Sequence, residues 1–422
     1  MLNRIANAAL ALMVVFGITV PTAQSFADPF TDSIAKAIED GTIKLGFRYR
    51  YEFVDQDSFD DDAHANTLRT RLIFAPQITD DWGFLLNFDD VRRIGSAKFN
   101  DTRNGKTDRP LVADPKGTDL NQMAIKYTGW ENATVVLGRQ AMPRGNLRFV
   151  GGVEWRQNEQ TYDSVSIAYD FNSKLSGYYA YIAQVNRIFG PDSLPAGGNP
   201  AFREDLDSSI HLLDAKYDFA PEAKLMGYAY FMDFDDADAL SNLTLGARLT
   251  GDIALQEGLK LSYAGEFAYQ EDHGDNPVSY DANYYLVEGG INWTGIGIKL
   301  SYEVLEGGNA SGTAFRTPLA TLHKWQGWAD KFIGPSTTGT PASGIEDLYL
   351  TLTGKAFGAK FNLTYHDFDA EANSGDLGSE FDASASYAFL DHYSVLFKLA
   401  SFDADDFSDD TTKFWLMLTA TF

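Results

Sequence analysis

The chain has 422 residues, of which 14% are aromatic and none is cysteine. The lack of cysteine excludes a disulfide framework, a thiolate metal site and a cysteine nucleophile. Asp and Glu total 59 against 34 Lys and Arg, so the formal net charge is -25. A molecule of this charge repels nucleic acid, and an anionic ligand needs a local basic zone. The mean hydropathy of -0.24 and the lack of a second long apolar run disfavour a helical membrane bundle.

The first 27 residues have the pattern of an export signal. Arg4 precedes a mostly apolar stretch over 5–20, and Ser25 and Ala27 are small residues at the two positions that signal peptidase reads. We therefore predict a signal peptide over 1–27. The competing interpretation, a membrane anchor, lacks a positive stop-transfer flank and meets a proline directly after the apolar stretch.

The segment 28–41 is predicted to be a periplasmic N-terminal segment with a short helix, because Ile34, Ala37 and Ile38 fall at helical spacing. From residue 42 the pattern changes to strict alternation. In 42–53, aromatic and aliphatic side chains point to one face and charged side chains to the other, as the period of a strand requires.

Eighteen segments of the chain follow this alternation, from 42–53 to 412–422, and the weakest of them is 134–140. Each is close to the roughly 10 residues with which a tilted strand crosses a bilayer, and the number is even. We therefore predict an all-β fold, a transmembrane antiparallel β-barrel of about 18 strands that occupies 42–422.

Connection lengths provide an independent test, because transmembrane barrels have short periplasmic turns and long outer loops. Connections after even-numbered segments are mostly short, whereas those after odd-numbered segments include 141–160 and 306–345. The parity blurs only around the tenth segment, where 234–241 and 250–258 are similar in length. A soluble stack of β-sandwiches, the alternative, gives no parity and leaves rows of aromatic side chains in water.

The last segment ends in Phe422, with Phe414, Leu416, Leu418 and Ala420 on the same face. A terminal strand that finishes in phenylalanine resembles the signature of bacterial outer-membrane barrels and is the expected contact with the barrel assembly machinery. The predicted location is the outer membrane of a Gram-negative bacterium, with lipid and lipopolysaccharide as partners.

Several segments resemble the alginate-export family of outer-membrane channels. The stretch 32–56 is similar to the family's opening helix and first strand, 137–140 with 148–151 and 155–163 forms the most specific block, and 316–332 forms a second. The resemblance covers most of the mature chain. It implies an 18-stranded channel that passes anionic saccharides or similar small acids, without implying alginate itself.

Arginine on the inward face is the sharpest functional feature. Arg48 and Arg50 of the first segment and Arg69 and Arg71 of the second lie opposite the aromatic face, with Lys44 nearer the strand start. Antiparallel pairing makes these cations cross-strand neighbours. Arginine presents a planar fork suited to carboxylates, and basic rings are a common basis of anion-passing pores. The pattern predicts an anion-selective strip, weakened when Arg48 and Arg71 are replaced by Gln.

The competing interpretation is a structural ladder, in which inward acids of other segments neutralise these arginines. The candidate acids are Asp89, Asp214, Glu266, Glu288 and Glu303. The two interpretations are compatible with each other.

Four further arginines, Arg139, Arg144, Arg148 and Arg156, lie in or beside the connection 141–160. If this loop folds inward, they narrow the basic strip into a filter. The alternative is a solvated outer loop.

Other features carry weaker signals. Trp325 and Trp328 in the longest connection either stack on sugar faces or pack the loop against the rim, and the second is favoured. The acidic runs 55–62, 233–238 and 403–410 do not match a calcium-binding loop, so we expect solvated charge and neither a metal nor a cofactor.

Catalytic motifs such as G-x-S-x-G and H-E-x-x-H are absent from the sequence, which favours a protein that is not an enzyme. We predict a porin-like outer-membrane channel for passive passage of small anionic solutes, with uronates and other acidic saccharides as candidates. The alternatives are a dedicated exporter of an anionic exopolysaccharide such as alginate and an outer-membrane hydrolase. The sequence leaves open the solute, the direction of transport, the oligomeric state and the placement of the long loops.

Overall fold

The computed structural model describes residues 36, 39, 41–220, 222–308, 312–333, 340–372 and 375–422. The predicted signal peptide over 1–27 lies outside these residues. So does the predicted short helix of the segment 28–41, apart from Lys36, Glu39 and Gly41. Within the described part of the chain, none of the helices is long and apolar enough to cross a membrane.

The described residues form eighteen antiparallel strands in one closed sheet. The strands are β1 (Thr42–Gln56), β2 (Ala63–Ala75), β3 (Trp82–Arg93), β4 (Gly117–Tyr127), β5 (Ala133–Gln140), β6 (Thr161–Asp170), β7 (Leu175–Asn186), β8 (Asp205–Ala220), β9 (Ala223–Met232), β10 (Asn242–Gln256), β11 (Leu259–Asp272), β12 (Asp281–Trp293), β13 (Ile296–Leu305), β14 (Ile345–Ala356), β15 (Ala359–Asp369), β16 (Asp376–Phe389), β17 (Tyr393–Asp403) and β18 (Thr411–Thr421). Short 3₁₀ turns lie in the connections at Pro200–Phe202, Asp238–Leu240, Leu322–Lys324 and Lys331–Ile333.

The barrel closes where β1 pairs with β2 on one side and with β18 on the other. At this seam, the backbone amide of Leu45 donates to the carbonyl of Phe422 and that of Phe422 donates to the carbonyl of Leu45, each at 2.8 Å. Closure satisfies every strand edge internally, as a lipid environment requires. The predicted barrel of about 18 strands is confirmed.

The alternation of connection lengths is sharper in the structure than in the sequence. β10 continues to Gln256, so only 257–258 connect it to β11, and the blur that the sequence showed at this point disappears. Short turns follow the even-numbered strands, and the long connections 94–116, 141–160, 187–204 and 306–344 follow odd-numbered ones. Loop length therefore places the short turns on the periplasmic side and the long loops outside.

The outward face is apolar, as the alternation predicted. Its exposed side chains include Val287, Leu300 and Leu350 at mid-strand. Aromatic side chains collect beside the periplasmic turns, where membrane barrels carry an interfacial girdle. The girdle residues are Trp82, Tyr127, Trp130, Phe171, Phe219, Trp293, Phe357, Phe389 and Phe422.

The inward face has two unlike sectors. On β1 to β3 it is charged, with Arg48, Arg50 and Asp89 among its buried residues. On β7 to β9 it is largely apolar, with Ile182, Leu212 and other buried side chains in one cluster. An apolar lumen wall is unusual in a barrel, whose interior is normally polar. Here it is covered by two loops that fold into the lumen.

Candidate channel constriction

Loop 3 (141–160) and loop 7 (306–344, described over 306–308, 312–333 and 340–344) lie inside the lumen and pack against each other. Val150 and Leu319 form a parallel bridge, and the amide of Gly151 donates to the carbonyl of Leu319 at 2.9 Å. A Cβ on Gly151 would lie 2.1 Å from Thr321 Oγ1, so only glycine permits this approach. The prediction left these placements open, and the structure places both loops inward.

Loop 3 is held to β1 by Arg48. The guanidinium donates from Nε to Gln157 Oε1 at 3.0 Å, from Nη1 to the carbonyl of Glu154 at 2.9 Å and from Nη2 to the carbonyl of Arg156. Five donors in a rigid fork allow one arginine to bind several acceptors of a loop in this way. Arg48 therefore fixes the path of the loop across the lumen.

Arg50 is fully buried beside Arg48 and holds a second contact with loop 3. It forms ion pairs with Asp114 and with Glu52, the latter at 3.5 Å, and it donates to the carbonyl of Trp155. Asp114 also accepts the amide of Gln157 at 2.8 Å. This guanidinium is neutralised by carboxylates and enclosed, so it is a structural anchor.

Arg156 joins loop 3 to the wall and to loop 7. Its guanidinium lies 3.2 Å from Glu52 Oε2 and 3.0 Å from Asp330 Oδ2. Lys413 on β18 also lies 3.0 Å from Asp330 Oδ2. Burial by itself lowers the pKa of Arg156, but Glu52 and Asp330 outweigh it and hold that pKa above its usual value.

His323 of loop 7 lies between an acid and a base. Its Nδ1 is 2.6 Å from Asp330 Oδ1 and its Nε2 is 2.6 Å from Lys398 Nζ. Burial lowers the pKa of His323 to about 3, with Lys398 acting in the same direction and Asp330 opposing it. A neutral imidazole donates from Nδ1–H to Asp330 and accepts from Lys398 at Nε2, which satisfies both ring nitrogens.

Lys398 on β17 lies in an aromatic cage that spans both loops and the wall. Its Nζ is 3.6 Å from the ring centre of Trp328, 4.2 Å from that of Trp155 and 5.4 Å from that of Trp415. Cation–π contacts of this kind strengthen when they are shielded from water. Trp325 is buried and Trp328 is partly buried, and both pack inside the lumen, not against the rim. Whether either also stacks on a sugar stays a prediction.

The far side of loop 3 is anchored to the opposite wall by ion pairs. Arg144 binds Asp214 of β8 through two hydrogen bonds at 2.8 and 2.7 Å. Arg148 Nε lies 2.8 Å from Glu303 Oε1 of β13, and both side chains are fully buried. The inward acids named by the ladder interpretation therefore neutralise loop arginines as well as wall arginines.

Two more predicted residues are also paired with acids. Arg139 binds Asp163 through two hydrogen bonds at 2.7 and 3.0 Å. Arg71 lies 2.5 Å from Asp89 Oδ2 and 2.7 Å from Glu159 Oε2. For these arginines the structure supports the ladder interpretation, and their predicted role in a solute path stays a prediction.

A cavity of about 120 Å³, the inner cavity, lies toward the periplasmic end of the same wall. Its lining includes Lys44, Arg48, Arg69 and Arg71, together with Thr419 of β18. Arg69 Nη1 is buried and has no hydrogen-bond partner among the described residues. Lys44 is exposed and forms no ion pair within the described part of the chain. No carboxylate lies within ion-pair distance of Lys44 or Arg69 among the described residues, and their predicted role in a solute path stays a prediction.

Sequence reasoning did not find the loop 7 residues His323 and Asp330 as parts of the constriction, nor Lys398 and Lys413 of the wall. A signal existed, since the 316–332 block was one of the two specific resemblances. The described residues contain no group of three or more His, Asp or Glu side chains arranged to hold a metal ion.

A closed 18-stranded barrel with a lipid-facing apolar band and inward-folded loops is the architecture of an outer-membrane porin-like protein. The alginate export family matches residues 41–313, more than half of the chain. The chain therefore belongs to the alginate export family, as its sequence segments indicated.

Solved structures with the same fold are outer-membrane proteins of Gram-negative bacteria. Acinetobacter baumannii OccAB2 is 14% identical with a TM-score of 0.71, over 91% of this chain and 99% of that one. Pseudomonas aeruginosa OpdK, solved with vanillate, is 12% identical with a TM-score of 0.67, over 91% and 99%. At these identities the likeness is one of fold. Comparison with curated proteins gave no match.

Proposed function

We propose that this protein is a passive channel for small anionic solutes and that the inner cavity is its selectivity filter. The observation that carries the proposal is Arg69, a guanidinium on the lumen wall with a buried nitrogen that has no hydrogen-bond partner among the described residues. Arg69 is only partly buried, but it has no carboxylate within ion-pair distance among the described residues, so a passing anion offsets the cost of desolvating its charge. Lys44 and Arg69 thus supply positive charge to a passing anion, whereas the paired arginines are already neutralised by carboxylates.

The overall charge of -25 does not oppose this selectivity. Many acids lie in the outer loops, whereas a solute inside the pore interacts with charges within a Debye length of roughly 8 Å. Small carboxylates, including uronates, match the fork geometry of arginine. The proposal assigns the protein no catalytic role.

The test is the reversal potential in planar bilayers under a KCl gradient. The unmodified protein is expected to prefer chloride, and Arg69→Gln is expected to lower the anion preference roughly two- to fivefold, the range for one charge at a high effective dielectric constant. The control is Arg92→Gln, which removes the same charge from the outward face of β3, where Arg92 pairs with Asp90 at 2.6 Å. Cation preference, absence of conductance or an equal effect of both variants would contradict the proposal.

A second candidate is export of an anionic polysaccharide, favoured by the family match over 41–313. The docked loops favour small solutes instead, because a polymer has to displace loop 3 from Arg48 and Arg50. Current blockade separates the two candidates: uronate monomers block the small-solute channel briefly, whereas long alginate chains produce long blockades only if the protein is an exporter.

The features of export and assembly belong to the same proposal. The signal peptide over 1–27 directs secretion of the chain, and the segment 28–41 is proposed to lie in the periplasm. Lipid and lipopolysaccharide are proposed to surround the barrel. Phe422 is half exposed beside the seam and is proposed as the contact with the barrel assembly machinery. Its hydrogen bonds to Leu45 support a role for this strand in closing the barrel.

A further inference from the structure

A second cavity, the outer cavity, lies between four extracellular loops and has a volume of about 660 Å³. Its walls come from the connections 187–204, 233–241 and 273–280 and from 312–316 and 340–342 of loop 7. Small-molecule sites in proteins are commonly about 300–1,000 Å³ in volume. The cavity is distinct from the inner cavity, which lies on β1, β2 and β18.

Two arginines line the outer cavity without a carboxylate within ion-pair distance among the described residues. Arg187 donates from Nη1 to the carbonyl of Ala201 at 2.8 Å, and its guanidinium lies 4.6 Å from the ring centre of Phe189. Arg316 lies 5.6 Å from the ring centre of Tyr280. Every loop 3 arginine described above has a carboxylate partner. Arg187 and Arg316 lack such a partner among the described residues.

Their electrostatics agree with the geometry. Burial, with the neighbouring Arg103 acting in the same direction, lowers the pKa of Arg187 to about 10. Burial also lowers the pKa of Arg316, opposed only by Tyr280. Each guanidinium is partly desolvated without an acid to compensate it, which makes it a favourable partner for an incoming anion.

The rest of the lining is largely apolar, with Pro200, Leu206, Leu240, Pro277 and Ala314 facing the space. The carboxylates on the lining are Asp236 and Asp238. Asp236 is bound to Arg203 at 2.5 Å and is therefore already neutralised, and Asp238 is exposed. An apolar wall with two cations matches a ligand that has a carboxylate on an apolar body.

We propose that the outer cavity is a capture site for organic carboxylates with an apolar body, of the size of a small aromatic acid. Arg187 also lines a smaller cavity that contains Arg156 and His323, so a captured acid lies beside the constriction. This proposal names a class of solute for the proposed channel. Binding at the outer cavity does not depend on the proposed function; only the later movement of the bound acid through the pore does.

The test is calorimetric titration of the full-length folded barrel in detergent with three probes: benzoate, its uncharged isostere benzamide, and glucuronate. We expect saturable benzoate binding, and binding of both benzamide and glucuronate at least tenfold weaker. Arg187→Gln and Arg316→Gln should each weaken benzoate at least tenfold, the loss expected for a charge-assisted hydrogen bond. Ala239→Glu, at an exposed position on the lining, should weaken benzoate as well, because it adds a competing carboxylate without removing packing.

The control is Arg109→Gln, which removes a positive charge from an outer loop where Arg109 pairs with Asp61 at 2.7 Å, away from the cavity. Absence of saturable benzoate binding, equal binding of benzamide, tighter binding of glucuronate or unchanged affinity in the cavity variants overturns the capture site. Reversal potentials of the same variants separate the two proposals. If the cavity variants lose benzoate binding but keep the anion preference of the unmodified protein, the outer cavity is a capture site separate from the filter. If the unmodified protein binds benzoate but prefers cations, only the proposed filter is overturned.

Discussion

The two ends of the basic wall on β1 and β2 differ in what surrounds their cations. At the extracellular end, Arg50 is enclosed by Glu52, Asp114 and the backbone of loop 3. At the periplasmic end, Lys44 and Arg69 face a cavity and have no ion-pair partner among the described residues. The same residue types on the same face thus serve as anchors where a loop covers them and as available charges where it does not.

The largest expected effect comes from removing an anchor. Arg50→Gln leaves Asp114 and Glu52 buried without this cation, and breaking such a buried pair costs about 3–5 kcal/mol. Because loop 3 is held in place by these contacts, we expect it to detach, with higher single-channel conductance and faster tryptic cleavage in 141–160. Arg69→Gln is the matched variant at the other end; it should not raise conductance and should leave tryptic protection of 141–160 unchanged. Equal conductance and equal protection in the two variants would remove the distinction between the ends.

The next largest effect is a difference in stability between a lysine on the lipid face and a lysine on the lumen face of the wall near the inner cavity. Phe47→Lys places a charge on the lipid face and should cost about 2–4 kcal/mol of unfolding free energy if it lies near the midplane. Thr419→Lys places the same charge on the lumen face, where Thr419 is paired in register with Arg48. Repulsion from Arg48 should cost some stability, clearly less than the lipid-face lysine costs, and anion preference should increase. Urea unfolding in liposomes measures the first quantity, and a comparable loss in both variants would show that the faces are assigned wrongly.

The smallest effect concerns the pH dependence of the extracellular anchors. His323 is enclosed by Asp330, Lys398 and Trp155, and its pKa is lowered by burial to about 3. A released loop 7 binds a proton near pH 6.5, whereas the docked loop binds it only near pH 3, so docking is strongest above pH 6.5 and weakens as the pH falls through this window.

Single-channel conductance recorded between pH 7 and pH 4.5 checks this expectation. We expect larger or more variable conductance at the lower pH and a flatter profile in His323→Gln, which keeps a donor and an acceptor but does not titrate in this range. A profile that is the same in both proteins would show that His323 does not link docking to pH.

Most of the fold could be predicted from local patterns. The alternation in 42–53 places Phe47 outward and Arg48 inward, since successive side chains of a strand point to opposite faces. The length parity of the connections predicted which loops lie outside, and the extension of β10 to Gln256 only sharpened it. The segments 137–163 and 316–332, which resemble the alginate-export family, include loop 3 and part of loop 7, the two loops that the structure places inside the lumen.

The roles of the individual arginines could not be predicted in this way. Arg148 and Glu303 are far apart in the chain, as are Arg156 and Asp330, and the tertiary structure brings each pair together. Nothing in the local sequence distinguishes paired Arg50 from Arg69, or reveals that Arg187 and Arg316 share one cavity. Strand geometry is a local property of the backbone, so the sequence by itself determined the barrel and its two faces. Charge neutralisation depends on which distant loop covers each side chain, and only the tertiary structure decided that.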